Sequence, residues 1–192
     1  DPPDYMFVDW VVADEYSLHH PPKALGQTCL NAFYYNALVE GAAIMKKLGK
    51  DEIAEKYIRD SLKLKKSYNE LLYDSERGLY FDGLNTPTKK ERIYHYMPEN
   101  TDKRYYSKRC NILSVLCGLC EGERAGEIIE KVMNESFTND IQPYFMHFLF
   151  EAFKKCGLYE KYAFRELRRW SIMTEHCSKG LQEGWIKPQE DY

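Results

Sequence analysis

Residues 28–57 read TCLNAFYYNALVEGAAIMKKLGKDEIAEKY, and this stretch decides the fold. Apolar groups recur at Leu30, Phe33, Tyr34, Ala37, Leu38, Gly41, Ile44, Met45 and Leu48. That is the period of a helix with a wide apolar face, predicted over 28–48. Gly49 is placed to stop it as the residue after the C-cap, and Asp51 to cap the next helix. The next helix sets Ala54, Tyr57, Ser61, Leu64, Tyr68 and Leu71 on one stripe, with Lys and Glu opposite. A helix that is apolar nearly all round is buried on both sides, whereas a one-striped helix keeps a solvated face. The stretch therefore reads as a helical hairpin, an inner helix followed by an outer one.

The design returns twice. A third helix runs from about Tyr106 to Leu119, apolar nearly all round, with Gly122 as its break. The fourth carries Ala125, Ile128, Ile129, Val132 and Met133 on one face. Pro143 is a good first residue for the fifth, which runs through Tyr144, Phe145, Phe148, Leu149, Ala152 and Phe153 to Gly157. The sixth covers about Tyr159–Met173, with Tyr162, Ala163, Leu167 and Trp170 facing inward. After the second helix, Asp74-Ser75-Glu76-Arg77-Gly78 and then Leu79-Tyr80-Phe81-Asp82-Gly83 predict a small β-hairpin over 74–83. Residues 84–104 are polar, contain Pro87 and Pro98, and read as loop. The predicted class is all-α: helical hairpins in two layers, forming a solenoid or a closed toroid.

Successive helices run antiparallel, so the short Gly turns share one rim. The long connections, 1–27, 74–105, 134–141 and 174–192, share the other. Long loops on a rigid scaffold are where function concentrates. Asp9, Trp10, Asp82, Glu183 and Trp185 all fall on that rim. Phe7-Val8-Asp9-Trp10 and Gly180-Leu181-Gln182-Glu183-Gly184-Trp185 each set a carboxylate beside an indole. A carboxylate can move protons or hold a hydroxyl, and an indole face can stack on the C–H face of a sugar ring.

Composition narrows the partners. A chain of 192 residues suits one domain, here 1–192, and can bury a sizeable core. A net charge of −3 gives no reason to expect nucleic acid or an anionic membrane surface. No apolar run is long enough to span a bilayer, and no signal peptide is visible, so no membrane partner is expected. The sequence opens at Asp1 without Met, and reads as a piece excised from a longer protein. Sixteen tyrosines suit a carbohydrate cleft, though helix packing also uses them. Cys117-x-x-Cys120 has half the spacing of a metal knuckle, but no second pair stands at zinc spacing and no βαβ pattern surrounds it, so it reads as packing. His19 and His20 read as loop, and His147 as packed in an apolar helix. No His/Asp/Glu set has metal-ligand spacing, no Ser-His-Asp set is assignable and no phosphate loop occurs. Neither metal nor cofactor is expected.

In order along the chain, six pieces resemble bacterial α-L-rhamnosidase catalytic domains. They are Phe7-Val8-Asp9-Trp10, residues 30–38 (LNAFYYNAL), Gly78-Leu79-Tyr80-Phe81-Asp82-Gly83, Asn111 in its apolar helix, Gln142-Pro143-Tyr144-Phe145 and Glu183-Gly184-Trp185. The resemblance covers most of the chain. It implies a glycoside hydrolase with an (α/α)6 barrel, of which three hairpins make about half, with the remainder of the catalytic domain as partner and a carbohydrate as substrate. It implies inversion, in which one carboxylate deprotonates water while an acid protonates the leaving oxygen, roughly 6.5–9.5 Å away. Glu183 matches the base in the family's E-x-W motif. Trp185 is the Trp of that motif, and with Asp9, which can accept from sugar hydroxyls, and Trp10, which can form a stacking floor, it is a substrate-binding candidate. The acidic Arg- and Trp-containing motif that carries the general acid is absent from residues 1–8. Lys179 and Gly180 stand where a Thr-Thr pair often precedes the base.

Plainer roles remain open for each residue: a turn cap for Asp9, core packing for Trp10, a solvated loop for Glu183 and a barrel plug for Trp185. Two other readings of the chain compete. One is a tetratricopeptide-like interaction module, which the even spacing of Gly122 and Gly157 favours and the long 74–105 insertion opposes. The other is a different (α/α) toroid enzyme, such as a glucoamylase-like hydrolase or a polysaccharide lyase. A half-barrel would also leave apolar edge helices uncovered, so self-association is expected.

Overall fold

A computed structural model describes residues 11–13, 16–18, 23–84, 103–137, 140–176, 181 and 184–185. The order is β1 (Val11–Ala13), β2 (Tyr16–Leu18), α1 (Lys23–Lys47), α2 (Asp51–Leu72), β3 (Tyr73–Asp74), β4 (Leu79–Tyr80), α3 (Lys108–Leu116), α4 (Glu123–Asn134), α5 (Met146–Lys155), α6 (Tyr159–Leu167) and α7 (Ser171–His176). Single 3-10 turns at Pro143–Phe145 and Arg168–Trp170 lead into α5 and α7. α1 packs on α2, α3 on α4 and α5 on α6, while α3 also touches α1 and α5. The molecule is therefore all-α, with an inner row α1–α3–α5 and an outer row α2–α4–α6.

The three hairpins share one turn chemistry. Each inner helix ends on a glycine with positive φ: Gly49 (68°), Gly118 (84°) and Gly157 (68°). In each, the amide of the following residue reaches back five positions: Lys50 to Met45 O (2.9 Å), Leu119 to Ser114 O (3.0 Å), Leu158 to Phe153 O (2.8 Å). This is the Schellman stop, whose left-handed residue glycine adopts without strain. The sequence names Gly122 as the break of the third helix, but Gly118 ends it, and Gly122 instead precedes α4 with φ 68°. Asp51 likewise proves to be the first helical residue rather than the cap, where its charge faces the helix dipole.

Two further differences lie near the N-terminus. Residues 11–13 and 16–18 pair antiparallel, Val11 with Leu18 and Ala13 with Tyr16, inside a stretch read from sequence as loop. α1 starts at Lys23, directly after Pro21-Pro22 and earlier than the apolar period suggests. The predicted hairpin near 74–83 is present as β3 against β4, Tyr73 opposite Tyr80. Asp74 closes its turn: Oδ1 accepts from the amides of Glu76 (3.0 Å) and Arg77 (3.1 Å), and Oδ2 from Tyr106 Oη (2.6 Å) and Arg104 (3.2 Å). The Tyr106 hydroxyl first, then these amides, hold the Asp74 carboxyl down at about 2.

α3 is the covered centre. Every residue from Arg109 to Val115 is buried. Asn111 within it acts as an extra strand toward β4. Its Oδ1 accepts from Tyr80 N (2.8 Å), and its Nδ2 donates to Tyr80 O (3.0 Å) and Ser107 O (3.0 Å). Ser114 and Tyr68 bond each other (2.7 Å), tying α3 to α2. α1, although inner by pattern, lies at the edge of the row and exposes Phe33, Tyr34, Val39 and Ile44. Among the described helices it packs mainly on α2 and α3, and it reaches α5 through the Phe33–Phe148 ring contact.

Replacing Asn111 by Leu leaves the Tyr80 amide buried without an acceptor, a loss of about 1–3 kcal/mol. Urea unfolding of Asn111→Leu is expected to show that loss as a lower midpoint with an unchanged slope. An unchanged midpoint would mean β4 does not depend on this side chain.

Candidate active site

The rim opposite the three glycine stops gathers the start of α3, the approach to α5 and the strand exit after β4. Asp82, just past β4, joins three elements. Its carbonyl accepts from Thr28 N on α1 (2.9 Å) and its amide donates to Tyr105 O (2.8 Å). Its Oδ1 accepts from Ser107 Oγ (2.6 Å) and Ser107 N (3.2 Å). Ser107 is the N-cap of α3 and passes the interaction on, its Oγ accepting from Cys110 N (3.2 Å). Thr28 Oγ1 donates to Phe81 O (2.5 Å), and Gln27 Oε1 accepts from Leu84 N (2.9 Å), so α1 grips the same exit strand. The Cys110 thiol donates to Tyr80 O (3.1 Å), and Asp82 Oδ2 is left buried without a hydrogen-bond partner among the described residues. Burial pushes the Asp82 carboxyl up to about 6, against the pull of Ser107, Cys110 and Arg109. Only 1% of Asp82 is exposed. It holds the rim together rather than facing a ligand.

The second cluster lies where residues 140–142 approach α5. Asp140 Oδ1 accepts from Lys108 Nζ (2.9 Å) and from Ile141 N (2.9 Å), and its Oδ2 from Arg169 (2.6 Å). Burial raises the Asp140 carboxyl, but the Lys108 bond and the charges of Lys108 and Arg169 outweigh it, and the net shift is downward. Arg169 also donates to Glu166 Oε2 (3.1 Å) and lays its guanidinium 4.2 Å over the Trp185 ring. Trp185 Nε1 donates to Ile141 O (2.6 Å), its backbone N to Gln142 Oε1 (3.3 Å), and its ring meets Trp170 edge-on at 4.9 Å.

Of the residues singled out from sequence, Asp9, Trp10 and Glu183 lie outside the described residues. Trp185 is described, half-buried on the rim, with Arg169 on one ring face. Asp140, Lys108 and Arg169 are absent from the sequence reading, and Gln142 enters it only as part of the Gln142–Phe145 piece. No spacing rule marks them, because they meet only through the fold. His147, expected to pack, is exposed with its ring edge against Phe148. Cys120 is buried and Cys117 half-buried, and burial pushes the Cys117 thiol up to about 11, which suits packing. Among the described residues no cluster of His, Cys, Asp or Glu is arranged to hold a metal. No described helix is long and apolar enough to cross a membrane.

Solved structures share this fold. The GH78 family rhamnosidase of Bacillus sp. GL1 superimposes with a TM-score of 0.65 at 22% identity, over 88% of this chain and 16% of that one. A rhamnosidase from Klebsiella oxytoca with rhamnose bound gives 0.63 at 19% identity, over 78% of this chain and 26% of that one. The fold is thus that of part of an (α/α)6 glycosidase, and the chain spans about a quarter or less of these neighbours' length. The Trehalase family model matches residues 23–168, and the chain belongs to that family. No curated protein sequence matches it.

The raised Asp82 carboxyl has a definite pH signature. The folded state holds a proton that the unfolded chain, near 3.8, releases, so this group favours folding at low pH and loses that contribution as pH rises through about 6. Asp82→Asn lacks the effect. Between pH 7 and pH 4 the wild type is expected to gain about 2–3 kcal/mol over the variant in paired urea titrations. Parallel pH profiles would show that the Asp82 carboxyl is not raised.

Proposed function

We propose that the chain forms part of the catalytic domain of an inverting glycoside hydrolase, with Glu183 as general base and the general acid supplied from outside these 192 residues. The observation that carries this is the seating of Trp185 on the loop-bearing rim of a glycosidase-family fold. Glu183 lies two residues before that anchored indole in an E-x-W sequence. A carboxylate beside an apolar aromatic wall can have its proton affinity tuned for base catalysis. Asp9 and Trp10 supply hydroxyl recognition and a stacking floor in this reading, and Trp185 adds a second indole to the substrate-binding surface. The whole of 1–192 is one partial domain whose other hairpins belong to the rest of the catalytic domain.

An α-L-rhamnoside is the first substrate choice, following the ordered sequence pieces and the two structural neighbours. The family match favours a second, the glucose disaccharide trehalose. Assaying both against the longer protein that carries this chain separates them. There, Glu183→Gln is expected to remove most turnover while largely sparing ground-state binding. The isolated chain is expected to show no measurable hydrolysis of aryl α-L-rhamnosides. Near-normal turnover of the Gln variant would exclude Glu183 as the base, and an active isolated chain would place the acid within it.

The exposed apolar edges support an expectation about the chain in isolation. α1 exposes Tyr34 and Ile44, and α6 exposes Phe164 at 64%. Patches of this kind drive pairing or aggregation. Sedimentation velocity is expected to show self-association of the isolated chain. A cooperatively folding monomer would instead mean that the edges tolerate water and that three hairpins form a self-sufficient unit.

A further inference from the structure

We propose that Phe33, Phe148 and His147 form a floor that holds one neutral, hydroxyl-bearing sugar ring on the inner side of the helix row. The proposal rests on the reading of the chain as part of a glycoside hydrolase and does not depend on which residue is the base. α1 and α5 each pack on α3. They meet one another where the Phe33 and Phe148 rings lie edge to face, centroids 5.9 Å apart. α4 packs on α3 from the outer row, so this ring pair crosses α3 on its inner side. From Phe148 the aromatic surface continues. Phe145 lies 4.9 Å away, Tyr144 6.0 Å beyond Phe145, and the His147 imidazole 5.4 Å from Phe148. His147 and Phe148 stand in the first turn of α5, which starts at the loop-bearing rim. The floor therefore lies close to that rim.

Part of this surface is fixed and part is open. Phe145 is 4% exposed, and Phe148 packs against the core. Phe33 keeps 44% of its surface exposed, and His147 is exposed. The Phe33 ring turns inward to α5, so its exposure does not belong to the open edge. Apolar ring surface left in water costs free energy that a ligand recovers on binding. Rings backed by a packed core lose little freedom when a ligand arrives, so binding carries a small ordering cost. A pyranose is the chemical class that suits the floor. Its C–H groups present an apolar face to a ring, and its hydroxyls require hydrogen-bond partners once water is displaced. Phe33 and Phe148 carry no charge and so favour a neutral ligand. His147 is the polar side chain in ring contact with Phe148, and a neutral imidazole offers one donor and one acceptor, either of which serves a hydroxyl.

The test is kinetic and is made in the longer protein that carries this chain, with an aryl α-L-rhamnoside and trehalose as substrates. Phe33→Leu keeps apolar bulk against Phe148 but removes the flat face, and Phe33→Trp restores one. His147→Phe keeps a ring against Phe148 but removes both nitrogens, and His147→Gln restores a donor and an acceptor. Against whichever substrate is turned over, Phe33→Leu and His147→Phe are expected to raise KM about tenfold with kcat changed less than about twofold, the pattern of lost uniform binding. Phe33→Trp and His147→Gln are expected to recover most of that rise. Urea midpoints of all four variants are expected to stay at the wild-type value. Unchanged KM in Phe33→Leu and His147→Phe overturns the floor. So does a KM rise that accompanies a lowered midpoint, because lost packing then explains it. Where the wild type binds L-rhamnose or trehalose in saturation-transfer NMR without turnover, loss or retention of that signal in the same two variants decides in the same way. Full turnover in Glu183→Gln overturns the base reading and leaves the floor standing. Neither turnover nor binding of either sugar in the wild type overturns the floor together with the substrate reading on which it rests.

Discussion

The carboxamide of Asn111 is the constraint on which the rim depends. A β-strand of two residues cannot satisfy its own backbone, and β4 has β3 on one side only. Asn111 supplies the other side from within a helix, accepting from Tyr80 N and donating to Tyr80 O. An asparagine can do this because it carries a donor and an acceptor spaced like a peptide group. The strand exit is thereby fixed against α3, and Phe81 and Asp82 follow at set positions. From there Thr28 ties α1 to Phe81 and Asp82, while Ser107 ties the α3 start to Asp82. Three chain segments distant in sequence are fixed by polar bonds inside a buried site, where each bond matters because water cannot replace it.

The two rim clusters use charge in opposite ways. Asp82 is buried with an unpartnered oxygen, so its carboxyl is held closer to the neutral form. Asp140 is partly exposed and lies between two cations, so it stays ionised. Ion pairs at such exposure contribute little to stability, typically under about 1 kcal/mol each. Their use here is geometric: one carboxylate orients both a lysine from the α3 start and an arginine that caps an indole. The carboxyl under the rim thus has its proton affinity raised by burial, and the one on the rim has it lowered by its cationic partners.

Much of the fold is legible in the sequence because period and glycine speak for it. The apolar stripe of α4, at Ala125, Ile128, Ile129 and Val132, is buried as its spacing implies. The hairpin turns were readable from Gly49 and Gly157, and misread at Gly122 because Gly118 sits inside an apolar run that looks helical throughout. Burial of α1 was not readable, since periodicity tells how apolar a face is and not whether a neighbour covers it. Trp185 could be named from its place beside Glu183, but its partners could not: Ile141 contributes a backbone carbonyl, which no side-chain pattern encodes. The same holds for Asp140 and Arg169, 29 residues apart and joined only after α5 and α6 have folded.

Coverage of the inner helices also explains where a site can be built. α3 has neighbours on both sides and in the outer layer, and its residues 109–115 are all buried. α5 packs on α3 and α6, and its Leu149, Ala152 and Phe153 are at most 1% exposed. α1 and α2 form the open edge, with Ile58 and Leu62 of α2 exposed as well. Local opening follows low contact density, so fraying is expected to begin at that edge and not at the centre. The polar junctions of the rim run mainly through α3 and the approach to α5. Gln27 and Thr28 tie the α1 end to the exit strand after β4.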